Sequence, residues 1–372
     1  MTSPSVLISG AGVAGPTLAY WLARNGFRPT IVERSQGLRS SGNPVDVRGP
    51  ALPVAERMDL MPALREVATP VTAMSFVDGE GREITRIATP ASRSAAGTRE
   101  VEVPRGDLAA VLYRAAQNDA EFLFDDTILT LAPDEGGVDV TFDRAAPRRF
   151  DLVVGADGLH STVRRLAFGP EREYVRHLGV YVATMPLGAE VDHPSDILMY
   201  NTPGRLISIH PSRGQALVAF IFRGADIAGL DYRDTARHKR IVTEAYAGAG
   251  WRVPELLGQL KRVDDLYFDS VSKVTLPLWS RGRIALLGDA ASCVSLFGDG
   301  SSLAMAGGLT LAEALAAHPK DHKTAYGRYE AEHRKLVNPK QRAMRVAAAL
   351  IVPKTRPGIA VRNLTARAWA SR

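Results

Sequence analysis

Short apolar runs, amphipathic helical stretches and alternating segments succeed one another along this chain. Ser5-Val6-Leu7-Ile8-Ser9 has the length of a buried strand. Gly10-Ala11-Gly12-Val13-Ala14-Gly15 follows at once and opens a helical pattern through Leu18, Trp21 and Leu22. That helix is predicted to stop at Asn25-Gly26, where glycine can take the left-handed conformation that closes a helix. Residues 29–32 read as a second strand delivering Glu33-Arg34, and residues 51–67 read as helical. Ala73-Met74-Ser75-Phe76-Val77 and Glu83-Ile84-Thr85-Arg86-Ile87 flank Asp78-Gly79-Glu80-Gly81, a hairpin signature. A short strand at 100–103 ends at Pro104-Arg105-Gly106-Asp107, where a helix with Leu108, Val111, Leu112 and Ala115 on its apolar face begins.

Residues 128–131 and 138–142 form a second predicted hairpin around Asp134-Glu135-Gly136-Gly137. A strand at 150–154 then leads into Gly155-Ala156-Asp157-Gly158, with Ser161 and Arg164 on the following helix. Alternation returns between 180 and 223, in the runs 181–185, 206–209 and 217–221, which would build a sheet walling a substrate pocket. Helices follow through Leu260, and a strand at 283–287 reaches Gly288-Asp289-Ala290-Ala291. A long helix begins near Ser301, and the remainder reads as helical, interrupted at Pro319, Pro339 and Pro353. The expected fold is α/β, with a Rossmann-like part interleaved with a mostly antiparallel sheet, plus C-terminal helices.

A length of 372 residues suggests two domains or one elaborated domain. One cysteine, Cys293, excludes an internal disulfide framework and is compatible with a reducing cytoplasm, the expected location. Residues 1–5 run directly into the first strand, so no signal peptide is expected. The longest apolar run, 346–352, is too short for a transmembrane segment. A net charge of +6 is spread along the chain rather than gathered in a patch, which argues against nucleic acid. The tail 354–372 is the exception: Ile359, Val361, Leu364 and Trp369 mix with arginines, reading as a membrane-surface helix or a helix packed across two domains. No His/Cys/carboxylate cluster suggests a metal.

The strand–glycine–helix unit carries the first chemistry. Gly10 permits a tight turn, Gly12 lets a backbone approach a pyrophosphate, and Gly15 lets helix and strand pack closely. The helix N-terminus, with Val13 and Ala14, offers N–H groups and partial positive charge to phosphates. Glu33 stands where an acid can accept from adenosine ribose hydroxyls. This unit alone does not separate FAD from NAD. Arg48, in the polar loop 35–50, reads either as a phosphate or flavin contact or as a solvated loop arginine. His160 and His210 read as polar or structural residues rather than catalytic bases, Cys293 as a small buried hydrophobe, and Gly288-Asp289, taken alone, equally as an ordinary turn or as a cofactor motif.

Three motifs in order, Gly10 to Gly15 with Glu33-Arg34, Gly155-Ala156-Asp157-Gly158-Leu159-His160-Ser161, and Gly288-Asp289-Ala290-Ala291, resemble the single-component (group A) FAD-dependent aromatic hydroxylases. Para-hydroxybenzoate hydroxylase and the tetracycline-inactivating monooxygenases belong to that group. The resemblance runs from about Val6 to beyond Leu315. It implies that the Gly-rich loop holds the FAD diphosphate and that Glu33 with Arg34 holds the adenosine part. It also implies that Arg105 contacts FAD, that Asp157-Gly158 serves FAD and incoming NADPH, and that Asp289 bonds the ribityl chain. The helix near Ser301 would aim its positive end at the flavin and favour the reduced anion.

Departures from the family pattern fall at Ser292, at Ser295-Leu296-Phe297 where a proline is usual, and at Gly298-Asp299-Gly300, where the aspartate would oppose negative charge on the flavin. No second strand–G-x-G-x-x-G–helix unit is present, so NADPH or NADH is expected to dock transiently. The domain expectation is 1–72, 98–175 and 266–318 for FAD, 73–97 and 176–265 for substrate, and 319–372 as C-terminal helices. Pocket candidates are Met185, His210, Phe220 and Phe297. The implied activity is NAD(P)H- and O2-dependent hydroxylation of an aromatic or polycyclic small molecule through a flavin C4a-hydroperoxide, by a monomer or weak homodimer. A non-oxygenating FAD dehydrogenase and a flavin-binding redox regulator are the alternatives.

Overall fold

The computed structural model describes residues 3–38, 44–88, 99–188, 191, 193–212, 216–227, 229–294 and 299–370, with backbone alone for 365–370. The first strand, Ser5–Ser9, lies at the centre of a six-stranded sheet because Val6, Leu7 and Ile8 are buried on both faces. It pairs in parallel with Arg28–Glu33 on one side and Leu152–Gly155 on the other. Glu121–Phe124 and Ile284–Leu286 extend the sheet in parallel, and the two-residue strand Ser280–Arg281 closes one edge antiparallel. The helix Ala14–Arg24 ends where predicted, at Asn25, with Gly26 at φ 80°.

A seven-stranded sheet forms the second layer, in the order Tyr267–Val274, Val175–Pro186, Leu217–Arg223, Arg205–His210, Asp196–Thr202, Ala73–Val77, Glu83–Ala88. All its pairings are antiparallel except that of Asp196–Thr202 with Ala73–Val77. One face packs on the helices Thr235–Ala245 and Val253–Arg262 through Tyr181, Phe220, Phe222, Tyr246 and Leu256. The expected hairpin around residues 134–137 stands in a separate three-stranded sheet with Arg148–Phe150.

Three sequence expectations change. Residues 51–67 are two helices, Leu52–Arg57 and Met61–Glu66, broken where Asp59 takes φ 54°. Pro339 does not interrupt its helix: His322–Ile351 runs through it, held on both sides by buried Val337 and Met344, so packing overrides the lost N–H donor. Strands Glu121–Phe124, Asp196–Thr202 and Tyr267–Val274 were absent from the sequence reading. In the last, the buried positions include Ser270 and Ser272, hydrogen-bonded to each other at 2.8 Å, so the strand lacks an apolar stripe. The final helix, Arg356–Ala370, packs on Glu83–Ala88 and Asp196–Thr202.

Candidate active site

The Gly-rich turn is built for two different kinds of closeness. A Cβ on Gly15 would stand 2.0 Å from the Gly10 carbonyl oxygen, and one on Gly10, at φ 106°, would meet the Ala156 carbonyl oxygen at 2.6 Å. Those two glycines serve packing. Gly12 differs, since no protein atom lies within 4 Å of the position its Cβ would take. Val13 precedes the helix without a side-chain cap, and Ala14 opens it, so the helix end is left to an outside acceptor.

Glu33 ends its strand with one carboxylate oxygen accepting from the Ala11 N–H at 2.9 Å and the other from the Ser35 N–H at 3.0 Å. Each oxygen keeps a further acceptor position, which suits ribose hydroxyls. The carboxylate therefore also ties the glycine loop to the strand end, a role the spacing argument did not include. Arg34 beside it is exposed.

Asp157 accepts from Val163 N–H at 3.1 Å, from Ser9 Oγ at 3.3 Å and, by a short bond, from Ser161 Oγ. Burial pushes its carboxyl up, against the pull of these donors. Gly158, at φ 79°, has no neighbour where a Cβ would stand. Buried Arg164 donates to the Ala290 carbonyl at 3.0 Å, fastening this motif to the third. His160 sits between Asp269 (3.2 Å) and Glu171 (3.0 Å) and stacks on Tyr232 at 3.8 Å between centroids. Burial opposes its charge, but the two carboxylates outweigh burial and raise it to about 9. His160 is thus a structural imidazolium at neutral pH.

Asp289 opens the short helix Asp289–Ser292, after Gly288 at φ 63°. Although it keeps some accessible surface, it is densely surrounded, and burial raises its carboxyl while the charge of Arg105 and the Cys293 thiol oppose that. Arg105 projects from the start of Arg105–Ala116. Gly300 lies alongside, with its Cβ position 3.7 Å from Asp289 Oδ1. Ser292 is buried and its N–H bonds the Gly288 carbonyl. Leu296, Phe297 and Gly298 lie outside the described residues.

Asp299, the departure that would have set a negative charge at the start of Asp299–Ala317, is compensated from two directions. Arg48 donates to it at 2.9 Å and Lys340 stands 2.9 Å away, while Arg48 also pairs with Asp46 at 3.2 Å. Arg48, Ser302, Asp299 and Lys340 line a cavity of about 160 Å³ there.

The pocket candidates divide between the two faces of the seven-stranded sheet. Met185 and Phe220 are 0 % exposed on the helix-covered face, Phe220 lying 5.3 Å from the Tyr246 ring. Their neighbours in sequence, Thr184 and Ala219, pair with each other and with Tyr267 and Ser208, forming a row across the opposite face. His210 shares that face and bonds Ser208 Oγ at 3.0 Å through Nε2. Burial alone drives His210 down to about 4, so it is neutral. Thr184 Oγ1 and His210 Nδ1 are buried without a hydrogen-bond partner. Tyr267 is pushed up by burial and by Asp269 and Asp289, against Arg105, which sets this row beside the Asp289 corner. The sequence reading did not single out Thr184 and Tyr267; alternation along Val175–Pro186 sets Thr184 on the face opposite Ala183 and Met185.

A dinucleotide fits these residues on three counts: the open cradle at Gly12, the uncapped helix end, and the acceptor-only carboxylates of Glu33 and Asp289. Among the described residues no group of three His, Cys, Asp or Glu could hold a metal. Residues 3–341 match the family model described as the FAD binding domain. An uncharacterized protein of Mycobacterium tuberculosis (strain ATCC 25618 / H37Rv) is 42% identical over 88% of this chain and 89% of its own length. A flavin-dependent monooxygenase from an unknown prokaryotic organism is 34% identical over 87% of this chain and 84% of its own. Among solved structures, tetracycline destructase Tet(51) superposes with a TM-score of 0.86 at 29% identity, covering 99% of this chain and 96% of that one. The chain belongs to the FAD-binding-domain family and is a flavin-dependent monooxygenase.

Proposed function

We propose that this chain hydroxylates an aromatic or polycyclic small molecule, polyketide- or tetracycline-like, with NAD(P)H as reductant and O2 as oxygen source. The observation that carries the reading is the row Tyr267–Thr184–Ala219–Ser208 beside Asp289, with two unpartnered polar atoms on the same face. Such a surface, with Tyr267, Thr184 and Ser208 hydroxyls and an imidazole beside Ala219, can orient a ring that carries hydroxyl or carbonyl substituents. The likeness to Tet(51) supports a polycyclic substrate. FAD, when bound, supplies the electrons and the activated oxygen.

The chain's own residues then bind, orient and exclude water. In this reading the Gly10, Gly12, Val13, Ala14 and Gly15 turn holds the diphosphate, and Glu33 with Arg34 holds the adenosine part. Arg48, Arg105, Asp157, Gly158, Asp289 and Gly300 surround the rest. Thr184 Oγ1 and His210 Nδ1 bond the substrate's polar substituents. Segments 1–72, 98–175 and 266–318 serve FAD, 73–97 and 176–265 serve the substrate, and 319–372 supports both. NADPH or NADH docks transiently, in a cytoplasmic monomer or weak homodimer.

The test is a compound screen for substrate-stimulated NADPH oxidation, followed by mass spectrometry under heavy oxygen. A product heavier by one oxygen drawn from O2 supports the proposal. Oxidised product without oxygen gain indicates a dehydrogenase, and no stimulated turnover by any ring compound indicates a redox regulator.

A further inference from the structure

The last forty residues differ electrostatically from the rest of the chain. Ten of its 46 Lys and Arg residues and none of its 40 Asp and Glu residues follow Glu332, so residues 1–332 carry net −4 against +10 in the tail. Some of these cations are used internally: Arg334 bonds Glu330, Lys335 bonds Glu332, and Lys340 bonds Asp299. Arg342, Arg345, Lys354 and Arg356 are exposed.

The same segment exposes large apolar side chains. On His322–Ile351, Ala347 and Ala348 turn inward onto Val180, Leu206 and Val271, and Met344 is buried in the main core. The opposite stripe, spaced by three and four, is Arg342, Arg345, Val346 and Leu350, with Val346 63% exposed. After residues 352–355, Arg356–Ala370 packs on Glu83–Ala88 and Asp196–Thr202, and Arg362 reaches back to the Leu350 carbonyl at 3.5 Å. It anchors through Arg362, which bonds Asn201 at 2.7 Å and lies over the Phe76 ring, and it leaves Val361 and Leu364 exposed.

We infer that this C-terminal helical segment docks the enzyme on an anionic lipid surface. Cations interleaved with exposed aliphatic side chains match the headgroup–acyl boundary of a negatively charged bilayer, where charge attracts and the aliphatic groups insert. A second copy is disfavoured, because the same face would meet its own positive charge. No helix among the described residues is long and apolar enough to cross a membrane, so the contact is peripheral. The net −4 of the remainder favours this face over others in the field of such a surface.

The test uses the FAD-loaded full chain in co-sedimentation with vesicles of phosphatidylcholine alone or with about a third phosphatidylglycerol, at about 50 and about 500 mM salt. Binding to the anionic vesicles, weakened roughly tenfold or more by high salt, is expected, with none to the neutral ones. The double variant Arg342→Glu/Arg345→Glu abolishes it, while Val346→Ser/Leu350→Ser keeps only a weak, fully salt-sensitive association. FAD content and melting temperature stay at wild-type values in both, since all four positions are exposed. Equal binding to neutral vesicles overturns the inference, as does absence of binding at low salt. A wild-type dimer dissociated by Val346→Ser/Leu350→Ser assigns the face to a second copy and also overturns it.

Discussion

Arg48 and Asp299, 251 positions apart in sequence, meet at 2.9 Å at the first residue of the helix Asp299–Ala317. An unpaired aspartate there would set a full negative charge beside a helix end whose partial positive charge is the useful one. Arg48 on one oxygen and Lys340 on the other offset that charge at the carboxylate itself, with Arg48 shared with Asp46.

Removing one cation should therefore be felt at the flavin. Arg48→Ala is expected to lower FAD affinity about tenfold, from the loss of a charge-assisted bond to a side chain only 13% exposed. The reduction potential of bound FAD should fall as well. Asp299→Asn in the same background should restore much of both. Titration of apoprotein with FAD and spectroelectrochemistry read the two effects; an Arg48→Ala protein with unchanged values would remove Arg48 from the cofactor's surroundings.

Gly12 and Gly15 should fail in different ways. Gly15→Ala places a methyl 2.0 Å from the Gly10 carbonyl oxygen, so little folded protein is expected. Gly12→Ala meets no protein atom, so the apoprotein should melt normally yet bind FAD at least tenfold more weakly. Glu33→Ala should weaken FAD roughly tenfold to a hundredfold and also lower the apoprotein's melting temperature, because it frees the Ala11 and Ser35 N–H groups. Thermal melts of apoprotein beside FAD titrations separate the three.

Asp289→Ala is expected to lose most bound FAD and turnover. Cys293→Ser should keep most of both, since the thiol's role is a bond to Asp289 that a hydroxyl can also donate. FAD content per chain and substrate-stimulated NADPH oxidation decide; the reverse order of effects would reassign this corner of the site.

Thr184→Val offers a sharper test of the sheet face. Its hydroxyl is buried with no partner, so removal should raise stability by up to about 1 kcal/mol. If that hydroxyl bonds substrate, kcat/KM should fall about two- to tenfold through a higher KM. A variant that is more stable with an unaltered KM would show that the substrate lies elsewhere.

His160 carries a pH signature. Its folded-state value of about 9 lies above the roughly 6.5 of an unfolded histidine, so the imidazolium stabilises the fold fully below about pH 6.5. That contribution, at most about 3 kcal/mol, is lost as pH rises through about 9. His160→Gln should be less stable than wild type at pH 6 and differ much less at pH 9.5. Urea melts at the two values check this, and a constant difference across the range would mean that the ion pairs with Asp269 and Glu171 do not form.

The cofactor motifs and the strands that lead into them were legible in the sequence because their requirements are local. A turn that needs positive φ at Gly10, or a helix so close at Gly15 that a Cβ would stand 2.0 Å from a carbonyl oxygen, admits one residue type at one position. The hairpin at residues 78–81 was legible for the same reason. Which sheet face the helices Thr235–Ala245 and Val253–Arg262 cover was not. Alternation marks two sides of a strand without saying which is covered by helices, so Met185 and Phe220 were read as pocket residues while Thr184 and Ala219 stand on the other face. Asp299 looked like a defect until Arg48 and Lys340 arrived beside it from other elements. Charge compensation acts through space, and only the folded chain brings Arg48 and Lys340 each within 3 Å of the Asp299 carboxylate.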